Sequence, residues 1–158
     1  MITVIYENFL SSTQCIYLID YYESNLSRTK KHRSIFPLLL KKNEIPNLER
    51  KLNIEASKIN KSYLDYFEIV KFPINSYLPE HTDFHTMKNH GYSLASIVYL
   101  NDDFEGGRLI YKDGITITPK TGRSVFFDGM YYAHAVEVVK KKPRYTVAGW
   151  YKESESNV

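Results

Sequence analysis

The sequence is short of cysteine, of long apolar runs and of any strong excess of one charge. Cys15 is its single cysteine, which excludes an intrachain disulfide framework and a zinc site built from several cysteines. No segment approaches the roughly 18 consecutive apolar residues of a membrane-spanning helix, so we expect no membrane partner. The net charge is only +3 at pH 7, whereas a domain that binds nucleic acid is expected to be strongly basic. We therefore expect no nucleic-acid partner.

The composition is that of a globular protein. The 158 residues are 43% hydrophobic and 25% charged, which are ordinary values for a folded domain. No repeat and no Pro/Gly-rich linker interrupts the chain, so we predict a single domain over residues 1–158. The first residues, MITVIYENF, lack the basic and apolar regions of a signal peptide, and the expected location is the cytoplasm.

Helical patterns occupy the first third of the chain. After a short predicted strand at residues 2–6, Ser11 and Gln14 form a capping box that predicts a helix to about Tyr22. Pro46 suits the first turn of a second helix, in which apolar residues recur at helical spacing. Between these helices, the basic cluster of residues 30–33 (KKHR) is interpreted as a solvated loop.

From Tyr63 onward the pattern changes to short strands separated by turn residues. Asp113-Gly114 predicts a two-residue type I′ hairpin turn. Helices followed by strands indicate a mainly β, α+β fold, with mainly helical support over residues 1–62 and an eight-stranded core over residues 63–152. This core is either a small β-barrel or a double-sheet jelly roll. The predicted strands are 65–72, 77–83, 92–101, 107–112, 115–118, 123–128, 133–139 and 144–151.

His81, Asp83 and His134 form a candidate metal site. Residues i and i+2 of a strand point to the same face, so His81 and Asp83 can bind one metal while Thr82 points away. His134 can complete the set from a distant strand. Two histidines and one carboxylate are the ligands of non-haem Fe(II) sites that keep open positions. Taken alone, a histidine such as His134 is more often a structural residue than a metal ligand.

Arg144 is a candidate binding residue for an anion. Alternation places Arg144, Thr146, Ala148 and Trp150 on one face of the last strand. A buried arginine there needs an anionic partner, and the strand supplies no adjacent acidic residue, so a ligand carboxylate is the candidate. The alternative is an arginine at the rim of a charged turn.

With these motifs in order, the chain resembles the Fe(II)- and 2-oxoglutarate-dependent dioxygenases, specifically the prolyl-4-hydroxylase-like branch. The resemblance covers about residues 67–151. The matching segments are His81-Thr82-Asp83, Tyr99-Leu100-Asn101, Glu105-Gly106-Gly107 with Leu109, Pro119-Lys120-Thr121-Gly122, His134-Ala135-Val136, Pro143-Arg144-Tyr145 and Trp150-Tyr151.

The resemblance implies a double-stranded β-helix fold and a set of cofactors. These are Fe(II), 2-oxoglutarate as co-substrate, dioxygen, and ascorbate as an accessory reductant. It further implies that Arg144 forms a salt bridge with the distal carboxylate of 2-oxoglutarate, with Tyr99 and Thr146 donating hydroxyl hydrogen bonds. Its implied iron ligands are His81, Asp83 and His134.

Residues that would contact the substrate are less well marked. Trp150 matches a family tryptophan near the pocket, although core packing is the alternative for both Trp150 and Tyr99. Phe72 stands where many relatives carry a tyrosine, and Tyr77 is a candidate to compensate. Tyr131 suits packing against a proline ring. The segments 84–91 and 129–133 are the predicted lid and rim.

The function implied by the resemblance is hydroxylation of a substrate C–H bond, with release of succinate and CO2. The branch favours a prolyl residue in a peptide, and a free amino acid or another small molecule is the alternative. Trp150 stands where the dioxygenases that dealkylate nucleic acids usually carry a second arginine, and Asp83 argues against a halogenase. A non-catalytic jelly roll that binds a sugar or a peptide is the remaining alternative.

Overall fold

The computed structural model describes residues 3–83 and 92–153. Within these ranges the chain forms two α-helices, a short 3₁₀ turn at Leu26–Arg28 and twelve strands. The helices are α1 (Ser12–Glu23) and α2 (Pro46–Asn60). The strands are β1 (Thr3–Tyr6), β2 (Phe36–Leu39), β3 (Ser62–Phe72), β4 (Leu78–His81), β5 (Tyr92–Tyr99), β6 (Glu105–Gly106), β7 (Leu109–Tyr111), β8 (Thr116–Ile117), β9 (Ser124–Phe127), β10 (His134–Val136), β11 (Val139–Lys140) and β12 (Arg144–Glu153).

Both helices begin where the sequence predicts. The Ser11 hydroxyl accepts a hydrogen bond from the Gln14 amide at 3.1 Å, and the Gln14 side chain accepts one from the Ser11 amide at 2.8 Å. This reciprocal pair satisfies two of the N–H groups that the first turn leaves free. Pro46 is the first residue of α2, and Lys61, in the left-handed conformation, ends that helix.

Two facing sheets form the double-stranded β-helix. The larger sheet has the order β1-β9-β5-β12-β3-β2, the smaller has the order β4-β10-β7-β8, and β11 pairs with β6. Apolar side chains from both sheets share one core, in which the Tyr111 and Phe127 rings meet edge to face at 5.6 Å. The predicted jelly roll is therefore confirmed.

The helices cover the outer face of the larger sheet. They bury Cys15 and Leu18 from α1, and Leu48 and Leu52 from α2, against the sheet. The helical support predicted from the sequence is thus present, and it leaves the inner face of the sheet free to line a cavity. Among the described residues, no helix has the length and apolar character needed to cross a membrane.

The amino-terminal segment supplies two strands beside its helices. β1 agrees with the strand predicted at residues 2–6, whereas β2 was not predicted. β1 pairs with β9 and β2 pairs with β3, so both extend the larger sheet. Pro37 lies within β2, and proline is tolerated there because β2 is an edge strand. The β6–β11 pairing, of two residues on each side, was not predicted from the sequence either.

The hairpin between β7 and β8 has a different turn from the predicted one. The Tyr111 amide bonds to the Ile115 carbonyl at 2.9 Å, and the Gly114 amide bonds to the Tyr111 carbonyl at 2.8 Å. The loop thus has three residues, and among them Gly114 alone has a positive φ, of 88°. This is a turn followed by a left-handed glycine, so the two-residue type I′ assignment is wrong.

A hydrogen-bonded carboxylate fastens the connection between α1 and α2. Glu44 accepts hydrogen bonds from both Arg28 guanidinium nitrogens, at 2.6 and 2.8 Å, from the Lys41 amide at 2.9 Å, and from the Tyr21 hydroxyl. The bonds from Arg28 lead the interactions that lower the pKa of Glu44 to about 2. Because the folded pKa lies below the ordinary value of 4.5, this pairing stabilises the fold above pH 4.5, and the stabilisation is lost as the pH falls towards 2.

We expect Glu44→Gln to lower the free energy of unfolding by about 1–2 kcal/mol at pH 7, because charge-assisted hydrogen bonds are lost. The difference from the wild type should shrink at pH about 3, where the wild-type carboxyl begins to protonate. Urea unfolding at both pH values measures it. Glu105→Gln is the matched control, because Glu105 pairs with Lys141 on the open surface and such pairs contribute little. A pH-independent difference would contradict the assignment.

Candidate active site

His81 and His134 face each other across the β4–β10 pair. The two residues are direct partners in the antiparallel register, and their ring centroids lie 4.5 Å apart. Directly opposed residues of an antiparallel pair project on the same face of the sheet. Strand pairing therefore brings together two histidines that are far apart in the sequence.

Asp83 completes the cluster from a turn rather than from a strand. β4 ends at His81, and the Asp83 amide then bonds to the Gly129 carbonyl at 2.8 Å. Asp83 Oδ1 lies 3.6 Å from His81 Nε2 and 3.5 Å from His134 Nε2. One ligand atom from each of the three side chains lies within 4.8 Å of the others, so one metal ion can contact all three.

Both histidines are oriented by backbone carbonyls. His81 Nδ1 lies 2.7 Å from the Pro79 carbonyl oxygen, and His134 Nδ1 lies 2.9 Å from that of Tyr132. A carbonyl oxygen only accepts, so each Nδ1 carries the proton and donates it. Each Nε2 is then left with its lone pair towards the cluster, which is the tautomer that a metal ligand requires.

Burial acts on both imidazoles, with different outcomes. Burial lowers the pKa of His81, and the nearby His134 adds to that effect. Burial also opposes the charged form of His134, but its contact with the Asp83 carboxylate outweighs this and raises the pKa. His81 is therefore held in the neutral form that binds metal.

Arg144 is buried at the opposite end of the same cavity. Its side chain is 1% exposed, its Nε donates to the Gly107 carbonyl at 3.1 Å, and its guanidinium lies over the Phe72 ring, 4.4 Å from the centroid. Phe72 thus packs against the cation instead of supplying a hydroxyl. Gly107 has a φ of 63°, and a Cβ there would lie 3.1 Å from Arg144 Cδ, which explains the second glycine of the Glu-Gly-Gly motif.

Two buried polar atoms beside Arg144 have no partner. Arg144 Nη2 and the Tyr99 hydroxyl make no hydrogen bond of good geometry among the described residues, although the two groups interact electrostatically with each other. The Tyr99 ring centroid lies 5.3 Å from the guanidinium carbon. Burial lowers the pKa of Arg144 and raises that of Tyr99. Within the described ranges no carboxylate pairs with Arg144, so this buried cation has no ion-pair partner there.

These observations fit the groups that the sequence implies. Unsatisfied buried donors cost free energy, at about 1–3 kcal/mol each, and a bound carboxylate would satisfy both Arg144 Nη2 and Tyr99. The distal carboxylate of 2-oxoglutarate has that chemistry. The three converging ligand atoms, two from imidazoles and one from a carboxylate, fit Fe(II).

The space between the two ends is a cavity of about 450 Å³. Thr146, 2% exposed, lines it beside Arg144. Trp150 lies at the other end, where its indole Nε1 donates to Asp83 Oδ2 at 3.2 Å. Trp150 therefore orients a candidate metal ligand, as well as shaping the cavity. The predicted alternation of β12 is confirmed. Arg144, Thr146, Ala148 and Trp150 line the cavity, and the alternate residues Tyr145, Val147 and Tyr151 belong to the core beneath the helices.

The other predicted substrate residues lie outside the cavity wall. Tyr77 is 49% exposed and Tyr131 is 71% exposed, and neither lines the cavity. Tyr77 therefore does not replace the missing hydroxyl at Phe72, which corrects that expectation. Contact of Tyr131 with a substrate stays a prediction. The predicted lid at 84–91 lies outside the described residues.

A family model described as the 2OG-Fe(II) oxygenase superfamily matches residues 67–152, more than half of the chain. The chain belongs to the 2OG-Fe(II) oxygenase superfamily. It is thus an enzyme of the 2-oxoglutarate-dependent dioxygenase class, as its motifs predict. The match covers all three members of the metal cluster and also Arg144.

Two curated proteins with similar sequences are named as prolyl 3-hydroxylases. Human prolyl 3-hydroxylase 2 is 41% identical over 64 residues, which cover 36% of this chain and 9% of that protein. The rat protein of the same name is 39% identical over 64 residues, with the same shares of the two chains. This chain therefore spans a small part of the length of these relatives.

Solved structures share the fold at low identity. A viral collagen prolyl hydroxylase from Paramecium bursaria Chlorella virus-1, in a 2OG complex, is 19% identical with a TM-score of 0.76, covering 97% of this chain and 96% of that one. A Trichoplax adhaerens prolyl hydroxylase, in complex with a hypoxia-inducible-factor peptide, is 18% identical with a TM-score of 0.80, covering 96% and 83%.

Some residues of the site were not found from the sequence. Gly129 lies against Asp83, and Glu68 lines the cavity from β3. The exposed basic residues 30–33 lie at the cavity mouth, so the loop is solvated as predicted and also borders the site. For Glu68 a signal existed, because an acidic residue interrupts the otherwise apolar inner face of a strand.

We expect Gly129→Ala to weaken metal binding by more than about tenfold, because a Cβ there would lie 2.4 Å from Asp83 Oδ2 and displace a ligand. Co(II) titration, followed through the fluorescence of the single tryptophan, Trp150, measures the affinity. Gly114→Ala is the control. A Cβ there meets no atom within 4 Å, and the backbone strain that alanine takes at a φ of 88° is confined to the β7–β8 turn, which does not line the cavity. Equal Co(II) affinity in both variants would show that Asp83 tolerates the added methyl group.

Proposed function

We propose that the protein is an Fe(II)- and 2-oxoglutarate-dependent hydroxylase that acts on a prolyl group, with a proline-containing peptide or protein as its partner. The cofactor assignment depends on one observation. Arg144 Nη2 and the Tyr99 hydroxyl lie side by side without a hydrogen-bond acceptor at one end of the cavity, opposite the cluster of His81, Asp83 and His134. The proline assignment is supported by the similarity to prolyl hydroxylases.

Each residue of the site has a task in this proposal. His81, Asp83 and His134 would hold Fe(II), and the Pro79 and Tyr132 carbonyls would keep the two imidazoles in the binding tautomer. Arg144 and the Tyr99 hydroxyl would bind the distal carboxylate of 2-oxoglutarate, with Thr146 beside them.

The bound groups supply the oxidising chemistry: Fe(II) with 2-oxoglutarate and dioxygen hydroxylates a C–H bond, with release of succinate and CO2. The fold supplies orientation and a cavity whose wall is formed largely by apolar side chains from two sheets. Trp150 holds Asp83 through its indole N–H. Ascorbate is proposed as an accessory reductant, and the cytoplasm as the location.

We expect succinate to form from 2-oxoglutarate in air when Fe(II) and ascorbate are added. Succinate formation should be lost in His134→Ala, because this variant lacks one metal ligand.

Arg144→Gln should weaken 2-oxoglutarate binding by roughly thirtyfold or more, because the charge that pairs with the bound carboxylate is removed. Calorimetry on Zn(II)-loaded protein measures that binding without turnover. Arg123→Gln, which alters an arginine that pairs with Glu7 at the surface, is the control. Unchanged 2-oxoglutarate affinity in Arg144→Gln would contradict the cofactor assignment.

Proline hydroxylation needs a separate test. We expect a mass gain of one oxygen atom in synthetic proline-containing peptides, and hydroxyproline on hydrolysis. Matched peptides with alanine in place of proline are the controls. Succinate formation stimulated equally by both sets, without hydroxyproline, would remove the proline assignment and leave the dioxygenase.

Hydroxylation of a free amino acid is the second candidate, and one observation favours it. The cavity contains a buried carboxylate, Glu68, that has no task in the binding of the metal or of 2-oxoglutarate.

A further inference from the structure

Glu68 is a buried acidic residue that faces into the cavity. It lies on β3 directly opposite Ala148 of β12, and its side chain is 8% exposed. Along the same strand pair, Arg144 lies opposite Phe72, and Trp150 lies opposite Tyr66. Glu68 is therefore positioned between the anion-binding end of the cavity and the end at the metal cluster.

The Glu68 carboxylate has one hydrogen-bond partner in the described part of the chain. The Tyr66 hydroxyl donates to Oε2 at 2.9 Å, and no basic side chain of residues 3–83 or 92–153 pairs with either oxygen. Burial raises the pKa of Glu68 to about 7, although the Tyr66 bond acts in the opposite direction. A buried carboxylate without a cation is costly, and a positively charged ligand would offset that cost.

Two aromatic rings complete the surroundings of this carboxylate. The Tyr66 and Trp150 rings lie 5.0 Å apart with an interplanar angle of 47°, and both line the cavity beside Glu68. The faces of such rings attract cations. The cross-strand neighbour of Glu68 is Ala148, a small residue that also lines the cavity. A carboxylate beside two aromatic rings is suited to an alkylammonium group.

The charge arrangement favours a cation at Glu68. In its ionised form Glu68 would repel a substrate carboxylate, whereas the Arg144 end of the cavity and the basic residues 30–33 at its mouth attract one. The cavity is thus polarised, with a buried cation at one end of the strand pair and a buried anion further along it.

We propose that Glu68, with Tyr66 and Trp150, forms a subsite that binds an ammonium group of the substrate. This deepens the proposed function and rests on it in one respect, that the substrate enters this cavity. An internal peptidyl proline has no ammonium group. The ammonium would come either from the substrate proline itself, free or at a peptide amino terminus, or from a neighbouring lysine side chain.

Binding measured without turnover tests the subsite. The protein is loaded with Zn(II), a redox-inactive stand-in, and 2-oxoglutarate, and is titrated calorimetrically with matched compounds. L-prolinamide and L-prolylglycinamide carry the ring ammonium, and N-acetyl-L-prolinamide, which is uncharged, lacks it. For the lysine source, Nα-acetyl-L-lysinamide is compared with Nα-acetyl-L-norleucinamide.

We expect at least one ammonium compound to bind more tightly than its neutral match, and Glu68→Gln to weaken that binding by roughly ten- to hundredfold. Glu68→Asp, which keeps the charge, should recover part of the affinity. Binding of the neutral compounds should be unaffected. Glu55→Gln, the same chemical change on α2 and away from the cavity, should bind as the wild type does.

The outcomes separate this proposal from the proposed function. Equal affinity of wild type and Glu68→Gln for every ammonium compound would overturn the subsite, as would tighter binding of the neutral member of each pair. Thermal melting checks that Glu68→Gln is folded. If it is not, Glu68→Leu replaces it in the binding measurements, because leucine fills a similar volume without a charge. Glu68-dependent binding without any succinate or hydroxyproline would support the subsite while contradicting the proposed function.

Discussion

The backbone hydrogen bonds that join β12 (Arg144–Glu153) to both of its neighbours are the interaction on which the cavity depends. β12 is paired with β3 on one side and β5 on the other. A slip of one residue in its register would exchange the side chains that line the cavity with those that pack beneath the helices. That register presents Arg144, Thr146 and Trp150 along one wall. The facing wall is set in the same way, by the β4–β10 pair that opposes His81 and His134.

The cavity separates functions by distance along these strands. An unpaired guanidinium and an unpaired phenol mark one end, and three converging ligand atoms mark the other. In a low-dielectric interior, each such group is costly until a ligand satisfies it. The site is therefore organised before its ligands bind, and the same physical logic extends to Glu68, the buried carboxylate that lies between the ends.

The groups around the candidate ligands restrict their freedom. Carbonyl oxygens select the tautomers of both imidazoles, and the Trp150 indole donates to Asp83. The Gly129 position is filled so closely by Asp83 that a methyl group has no room. Such surrounding contacts tune a metal site nearly as strongly as the ligands themselves. They explain why a turn, rather than a strand, can supply one ligand without loss of order.

Capping boxes, strand alternation and the His-x-Asp spacing are local patterns, so the helix starts, the main strands and the pairing of His81 with Asp83 could be predicted from them. The resemblance to the dioxygenases added the jelly roll and the role of His134. The folded structure was needed to show that β2 joins the sheet despite Pro37, that Tyr77 lies outside the cavity, and that Gly129 and Glu68 belong to the site. Those facts depend on contacts between residues far apart in the chain. No local pattern encodes how closely Gly129 approaches Asp83, or that the carboxylate of Glu68 is left without a cation when the two sheets close.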